Sequence, residues 1–165
     1  MRFRYRLAKE IPEDQKRRMR AYLHDKRGWD ALGYELREVT DDRRRCDVII
    51  YLLEAKEMNR KYGEYKHLKG MSITDRGTKP VRIDLHATNW FVPPAAFEEN
   101  PNVAEDRLAQ YQAYVINHEM GHALGYEHSN AVAGEPCAVM YQQTRGTGSD
   151  VCEANAWPAI NADNS

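Results

Sequence analysis

Polar and apolar positions alternate from the first residues. Phe3, Tyr5 and Leu7 are separated by Arg2, Arg4 and Arg6, which predicts a strand with one buried face and one arginine face. Pro12 and Glu13 open a helix predicted to run to Lys26. Met19, Tyr22 and Leu23 form its apolar stripe, and Gly28 ends it. Trp29 to Gly33 reads as a connection, Tyr34 to Val39 as a second strand and Asp41 to Arg45 as a charged turn. Val48 to Leu53 is an unbroken apolar run, predicting a strand buried on both faces at the centre of a sheet.

Glu54 to Lys69 is polar and less patterned, and His67 within it reads as exposed. Met71 to Thr74 reads as a short strand and Asp75-Arg76-Gly77 as a turn. Val81, Ile83 and Leu85 alternate with Arg82, Asp84 and His86. That leaves one wet face and predicts a sheet edge, with His86 a surface histidine. Trp90 to Pro101 is a loop broken by Pro93, Pro94 and Pro101. Asn102 with Glu105 three residues later predicts a helix start. That helix runs to about Leu124. Leu108, Tyr111, Val115, His118 and His122 share one face, and Ile116, Met120 and Ala123 form a second, so it is expected to be buried on two sides. Beyond Ala159 the chain is polar and is expected to fray.

These elements predict one α+β domain over residues 1–165, with no internal repeat and no linker. The sheet is expected to be twisted and mostly parallel with an antiparallel edge strand, and two long helices pack on it. Residues 1–128 would carry the sheet and the second helix, and 129–165 a small C-terminal part. The length suits one core and is short for two.

The chemistry concentrates in Asn117 to His128, which reads H-E-x-x-H-x-x-G-x-x-H. His118 and His122 are four apart and share a helix face, so they can bind one metal ion. Glu119 is set about a quarter turn round, given about 3.6 residues per turn, where its carboxylate can take a proton from water. Gly125 tolerates the left-handed conformation that ends helices, so His128 can return to the same ion. Three neutral imidazoles leave one position of a tetrahedral Zn²⁺ open, as catalytic zinc sites do. Downstream, Met140 in Pro136-Cys137-Ala138-Val139-Met140-Tyr141 can form a soft apolar floor.

Three histidines, the glycine and the later methionine resemble the metzincin clan of zinc metallopeptidases. More narrowly, Tyr114 to Gly125, Val139 to Thr144, Cys152 and Trp157-Pro158 resemble a family of uncharacterised zinc peptidases best known from actinobacteria. The resemblance is sharp from about Tyr111 to Pro158 and looser from about Trp29 to Trp90. Ser129, after the third histidine, is similar to the matrixin branch. Astacin-like and serralysin-like members carry a metal-binding tyrosine two residues after the methionine, where this chain has Gln142. Tyr141 follows the methionine directly and is a candidate to hold an oxyanion. No matrixin-type pro-peptide cysteine motif is present.

The resemblance implies a zincin-like fold, one catalytic Zn²⁺ on His118, His122 and His128, Glu119 as general base and acid, Met140 in a methionine turn, and a peptide or protein substrate. It also assigns Val81 to Ala87 as the edge strand that pairs with substrate backbone by strand addition. It favours a disulfide between Cys137 and Cys152. Such a bond would close a loop of about 15 residues and contribute on the order of 3 kcal/mol; two reduced thiols are the alternative in a reducing compartment. Cys46 is left over and reads as a packed thiol.

The function expected is a zinc-dependent endopeptidase. Two alternatives use the same residues: a non-catalytic zinc module that binds a peptide or partner, and a zinc amidase acting on a non-peptide amide. Net charge is −1, so no bulk attraction to nucleic acid or membrane is expected. Residues 1–66 are net +5 and the remainder net −6; the basic half reads as basic surface faces on one helix and two strands, with a basic patch that selects acidic partners as the alternative. No run approaches the roughly 18 apolar residues of a spanning helix. A monomer is expected. The N-terminus has no apolar core, so a cytoplasmic or non-classically exported protein is expected, or a secreted one if Met1 is not the natural start.

Overall fold

The computed structural model describes residues 1–161, so the polar terminus expected to fray lies mostly outside the described residues. The chain forms a single α+β domain with five strands: β1 (Arg2–Leu7), β2 (Glu35–Glu38), β3 (Val48–Leu53), β4 (Ile73–Asp75) and β5 (Val81–His86). Their order is β2-β1-β3-β5-β4. All neighbours run parallel except β4, which is antiparallel to β5. The mostly parallel sheet with an antiparallel edge is therefore observed.

Four α-helices accompany it: α1 (Glu13–Leu23), α2 (Ala55–Tyr62), α3 (Ala87–Phe91) and α4 (Arg107–Ala123). Alternation in β1 places Tyr5 and Leu7 in the core, and Val48 and Ile50 of the central β3 are fully buried. Met19 and Leu23 of α1 join them, beside Tyr111, Val115 and Ile116 of α4. Polar bonds tie the helices together. Tyr22 Oη donates to Gln112 Oε1 at 2.9 Å, and Trp90 Nε1 donates to Gln15 Oε1 at 2.9 Å.

Four expectations change. The strand over Val81 to His86 is not an edge, because β4 lies outside it. Its polar positions misled because Asp84 is fully buried yet satisfied: Lys61 Nζ lies 2.7 Å from it, Arg82 Nε 2.8 Å away, and Tyr62 donates to it. A buried carboxylate with this many donors costs far less than an isolated one. Second, Glu54 to Lys69 contains α2, whose only buried side chain is Met58, too little to make an apolar stripe. Third, α1 stops at Leu23, because Asp25 Oδ1 accepts the Arg27 backbone N–H and turns the chain. Fourth, α4 starts at Arg107 rather than Asn102. Asp106 caps it by accepting from Ala109 N at 2.8 Å, while Glu105 is engaged by Arg27 at 2.7 Å.

Candidate metal centre

Buried α4 carries the first two histidines. Residues Gln110 through Gly121 are buried without interruption, so the helix is fixed on all sides. Leu124 caps its end, and Gly125 follows at φ +105° with open space around a Cβ, so the requirement there is conformational. Tyr126 N then returns to the Gly121 carbonyl at 2.9 Å. Tyr126 is anchored by a tilted ring contact with Trp29 and by a 2.8 Å hydroxyl contact with Tyr34. The turn so fixed brings His128 back over the helix.

One ligand nitrogen from each of His118, His122 and His128 lies within 4.8 Å of the others, a grouping that can hold a metal ion. The ring orientations are imposed by the backbone. His118 Nδ1 donates to the Val139 carbonyl at 2.8 Å, and His122 Nδ1 donates to the Tyr126 carbonyl at 2.9 Å. Each neutral ring thus presents an Nε2 lone pair, the arrangement metal-ligating histidines use. His122 Nε2 and His128 Nε2 sit 3.1 Å apart, a spacing that needs a proton or a cation between them. Burial pushes His118 down to about 3. Burial also lowers His122 and His128 from the ordinary histidine range. Neutral rings are what a metal requires. The three residues therefore fit a metal ion, and imidazole donors suit zinc among others.

Glu119 is 5% exposed, and burial raises its carboxyl to about 8. The Thr74 hydroxyl on β4 opposes that rise; its Oγ1 lies 2.6 Å from Glu119 Oε2 and 3.0 Å from the Glu119 carbonyl. One hydroxyl has one proton. When Glu119 is protonated, its O–H can donate to Thr74 while Thr74 donates to the carbonyl. When Glu119 is charged, Thr74 can donate to the carboxylate instead.

A cleft of about 220 Å³ opens here, lined by the three histidines, Glu119, residues 72–74 of the β4 edge, Arg76, Glu127, Gln142 and Arg145. Tyr141 is half-buried and does not line it, whereas its neighbour Gln142 does. Met140 is fully buried against α4, where a Cβ on Gly121 would overlap its sulfur. Ser129 N donates to the Met140 carbonyl at 3.1 Å, joining the third-histidine segment to the methionine turn. Cys137 and Cys152 are disulfide-bonded and flank that turn. Cys46 is half-buried beside Arg4 and Arg6, away from the cleft lining, and burial pushes its thiol up.

Sequence reasoning missed several residues of this site. Gly121 carried a usable signal, since a glycine inside a helix costs about 1 kcal/mol against alanine and needs a packing reason. Thr74 and Arg145 gave none. Gln143 is fully buried; it donates to the Asn155 carbonyl at 2.7 Å and accepts from Asn155 N at 3.1 Å. Its backbone N–H donates to Tyr114 Oη at 2.9 Å. These bonds fasten the C-terminal part to α4.

Fold and site together define an α+β domain with a buried helix presenting a three-histidine cluster able to hold a metal ion. Residues 15–164 match the family model described as "Protein of unknown function (DUF3152)", and the chain belongs to that family. No curated protein matches it. Among the described residues, no helix is long and apolar enough to cross a membrane.

Proposed function

We propose that this protein is a zinc-dependent endopeptidase of the metzincin type. The observation that carries the reading is the convergence of His118, His122, His128 and Glu119 on one cleft bordered by the β4 edge. His118, His122 and His128 would hold the ion through Nε2. Bound zinc supplies Lewis acidity and lowers the pKa of water to about 7.

The remaining chemistry belongs to the chain. Glu119 accepts the proton of the attacking water and delivers it to the departing amine nitrogen. Burial, which disfavours the charged carboxylate, helps Glu119 hold that proton between the two steps. Thr74 keeps Glu119 Oε2 in place through the 2.6 Å contact. Residues 72–74 line the cleft, and the outer side of β4 can pair with an extended substrate backbone. No side-chain nucleophile is required. This assigns the substrate-pairing role to β4 instead of Val81 to Ala87, which β4 covers.

The test is metal content together with cleavage of an unfolded protein and a mixed-peptide substrate, for the native chain and Glu119→Ala. One zinc per chain is expected, with chelator-sensitive cleavage lost in the variant. No zinc, or cleavage at the native rate by Glu119→Ala, would overturn the assignment.

A further inference from the structure

The metal cleft does not end at the histidines. Leu68 and Met71 on its wall also line a second cavity of about 690 Å³. That cavity lies between α2 and the short helical turn Lys66–Leu68, with Met58 and His86 among its walls. Because the two hollows share those residues, an extended chain lying along β4 continues from one into the other.

The charged side chains that line the larger cavity carry one sign. Lys56, Lys66 and Lys69 line the larger cavity, all are exposed, and none is in an ion pair among the described residues. No carboxylate lines it. Glu54 and Glu64 lie on the same chain segment outside the lining, and Glu57 is paired with Arg60. In the metal cleft, Arg145 is exposed and also outside any ion pair. The cleft's other arginine, Arg76, is engaged by Glu127 at 2.7 Å, and the remaining carboxyl there, Glu119, is buried. Four cations outside any ion pair among the described residues therefore border two adjoining hollows in a chain whose net charge is −1.

We propose that the cavity beside α2 is the extension of the metal cleft that seats a polypeptide segment bearing carboxylate side chains. Lys56, Lys66, Lys69 and Arg145 select acidic substrates there, with Met58, Tyr62 and Met71 receiving the hydrocarbon parts. The selection rests on the peptidase reading for its consequence but not for its measurement. Binding depends on surface charge; cleavage depends on Glu119.

The experiment uses two fluorescein-labelled peptides, one rich in Asp and Glu and one with Asn and Gln at the same positions. Anisotropy is followed on zinc-loaded Glu119→Gln protein, and cleavage on the native protein. The acidic peptide is expected to bind at least about tenfold more tightly at low ionic strength, with the difference erased near about 0.5 M salt. Lys66→Gln with Lys69→Gln, and separately Arg145→Gln, are each expected to remove several-fold of that preference. These side chains are exposed, so an unchanged unfolding curve confirms that the variants fold. Equal binding of the two peptides overturns the proposal even if both are cleaved. So does a preference that survives all three substitutions. Tight, charge-selective binding with no cleavage by the native protein keeps this site and rejects the peptidase.

Discussion

Gly121 and Met140 are fitted to each other across the interface between α4 and the methionine turn. A Cβ added to Gly121 would overlap Met140 Sδ and stand 2.8 Å from Trp29 Cζ2. Both partners are essentially unexposed, and the Trp29 indole is held by its 3.1 Å bond to the Asn117 carbonyl. Gly121→Ala should therefore destabilise the protein, although alanine is the better helix former. Overpacking costs roughly 1–3 kcal/mol and propensity returns up to about 1, leaving a net loss of up to about 2 kcal/mol. Urea unfolding measures it. Combining the change with Met140→Ala should recover part of the loss, because the pair is in contact. A stabilised Gly121→Ala single variant would show that Met140 and Trp29 yield freely.

Among the described residues, Thr74 is the one hydroxyl that touches the Glu119 side chain, at 2.6 Å. Its hydrogen bond favours the charged carboxylate and pulls the Glu119 pKa down against burial. Thr74→Val removes that donor at nearly constant volume. The acid limb of the pH–rate profile should move to higher pH, and turnover at neutral pH should fall by roughly tenfold, at or below the range of a general base's contribution. Thr74→Ser should restore both. An unmoved acid limb in Thr74→Val would mean that the hydroxyl only supports β4.

The Cys137–Cys152 disulfide closes a loop that contains Val139, Met140 and Gln143. Val139 supplies the carbonyl that orients His118, so the crosslink also steadies one histidine of the candidate metal centre. Reduction, or replacement of both cysteines by serine, should cost about 3 kcal/mol for a loop of this length and weaken zinc retention. Cys46→Ser should change neither by much. Unfolding and chelator competition, with and without reductant, read the two effects separately.

The three-histidine cluster was legible because its geometry is local. His118 and His122 are spaced by the helix itself, and Gly125 announces the turn that returns His128. The central place of Val48 to Leu53 was legible because six apolar residues in a row fit an interior strand. Val81 to His86 was misplaced because alternation reports polarity and not exposure. Asp84 is polar and fully buried, and the partners that make this tolerable, Lys61 and Tyr62, come from a helix with no visible stripe. Thr74 was invisible for a related reason: nothing near it in sequence indicates that it lies against Glu119, 45 residues away. Tyr141 was a candidate by adjacency to the methionine, but a one-residue offset puts Gln142 on the cleft instead.

The titrations of the site oppose one another, and together they give the site's contribution to the stability of the metal-free protein a maximum in pH. His118 stays neutral in the fold down to about 3, whereas the unfolded chain takes up a proton near 6.5. Between those values the unfolded state binds more protons, so stability falls as pH falls, by up to about 1.4 kcal/mol per pH unit. His122 and His128 are shifted in the same direction and steepen the fall. Glu119 does the reverse. It remains protonated in the fold up to about 8 but ionises near 4.5 when unfolded, so stability falls as pH rises across that range. From about 4.5 to 6.5 three histidines outweigh one carboxyl, and above about 6.5 the carboxyl acts alone. Chelator-treated protein should therefore be most stable near about pH 6.5 and less stable at both about 5 and about 8. Glu119→Gln should flatten the alkaline side, and His118→Asn, which can still donate to Val139, should flatten the acid side. Urea midpoints at the three pH values decide the matter. A native protein whose stability rises steadily to about pH 8 would mean that Glu119 is already ionised in the folded, metal-free site.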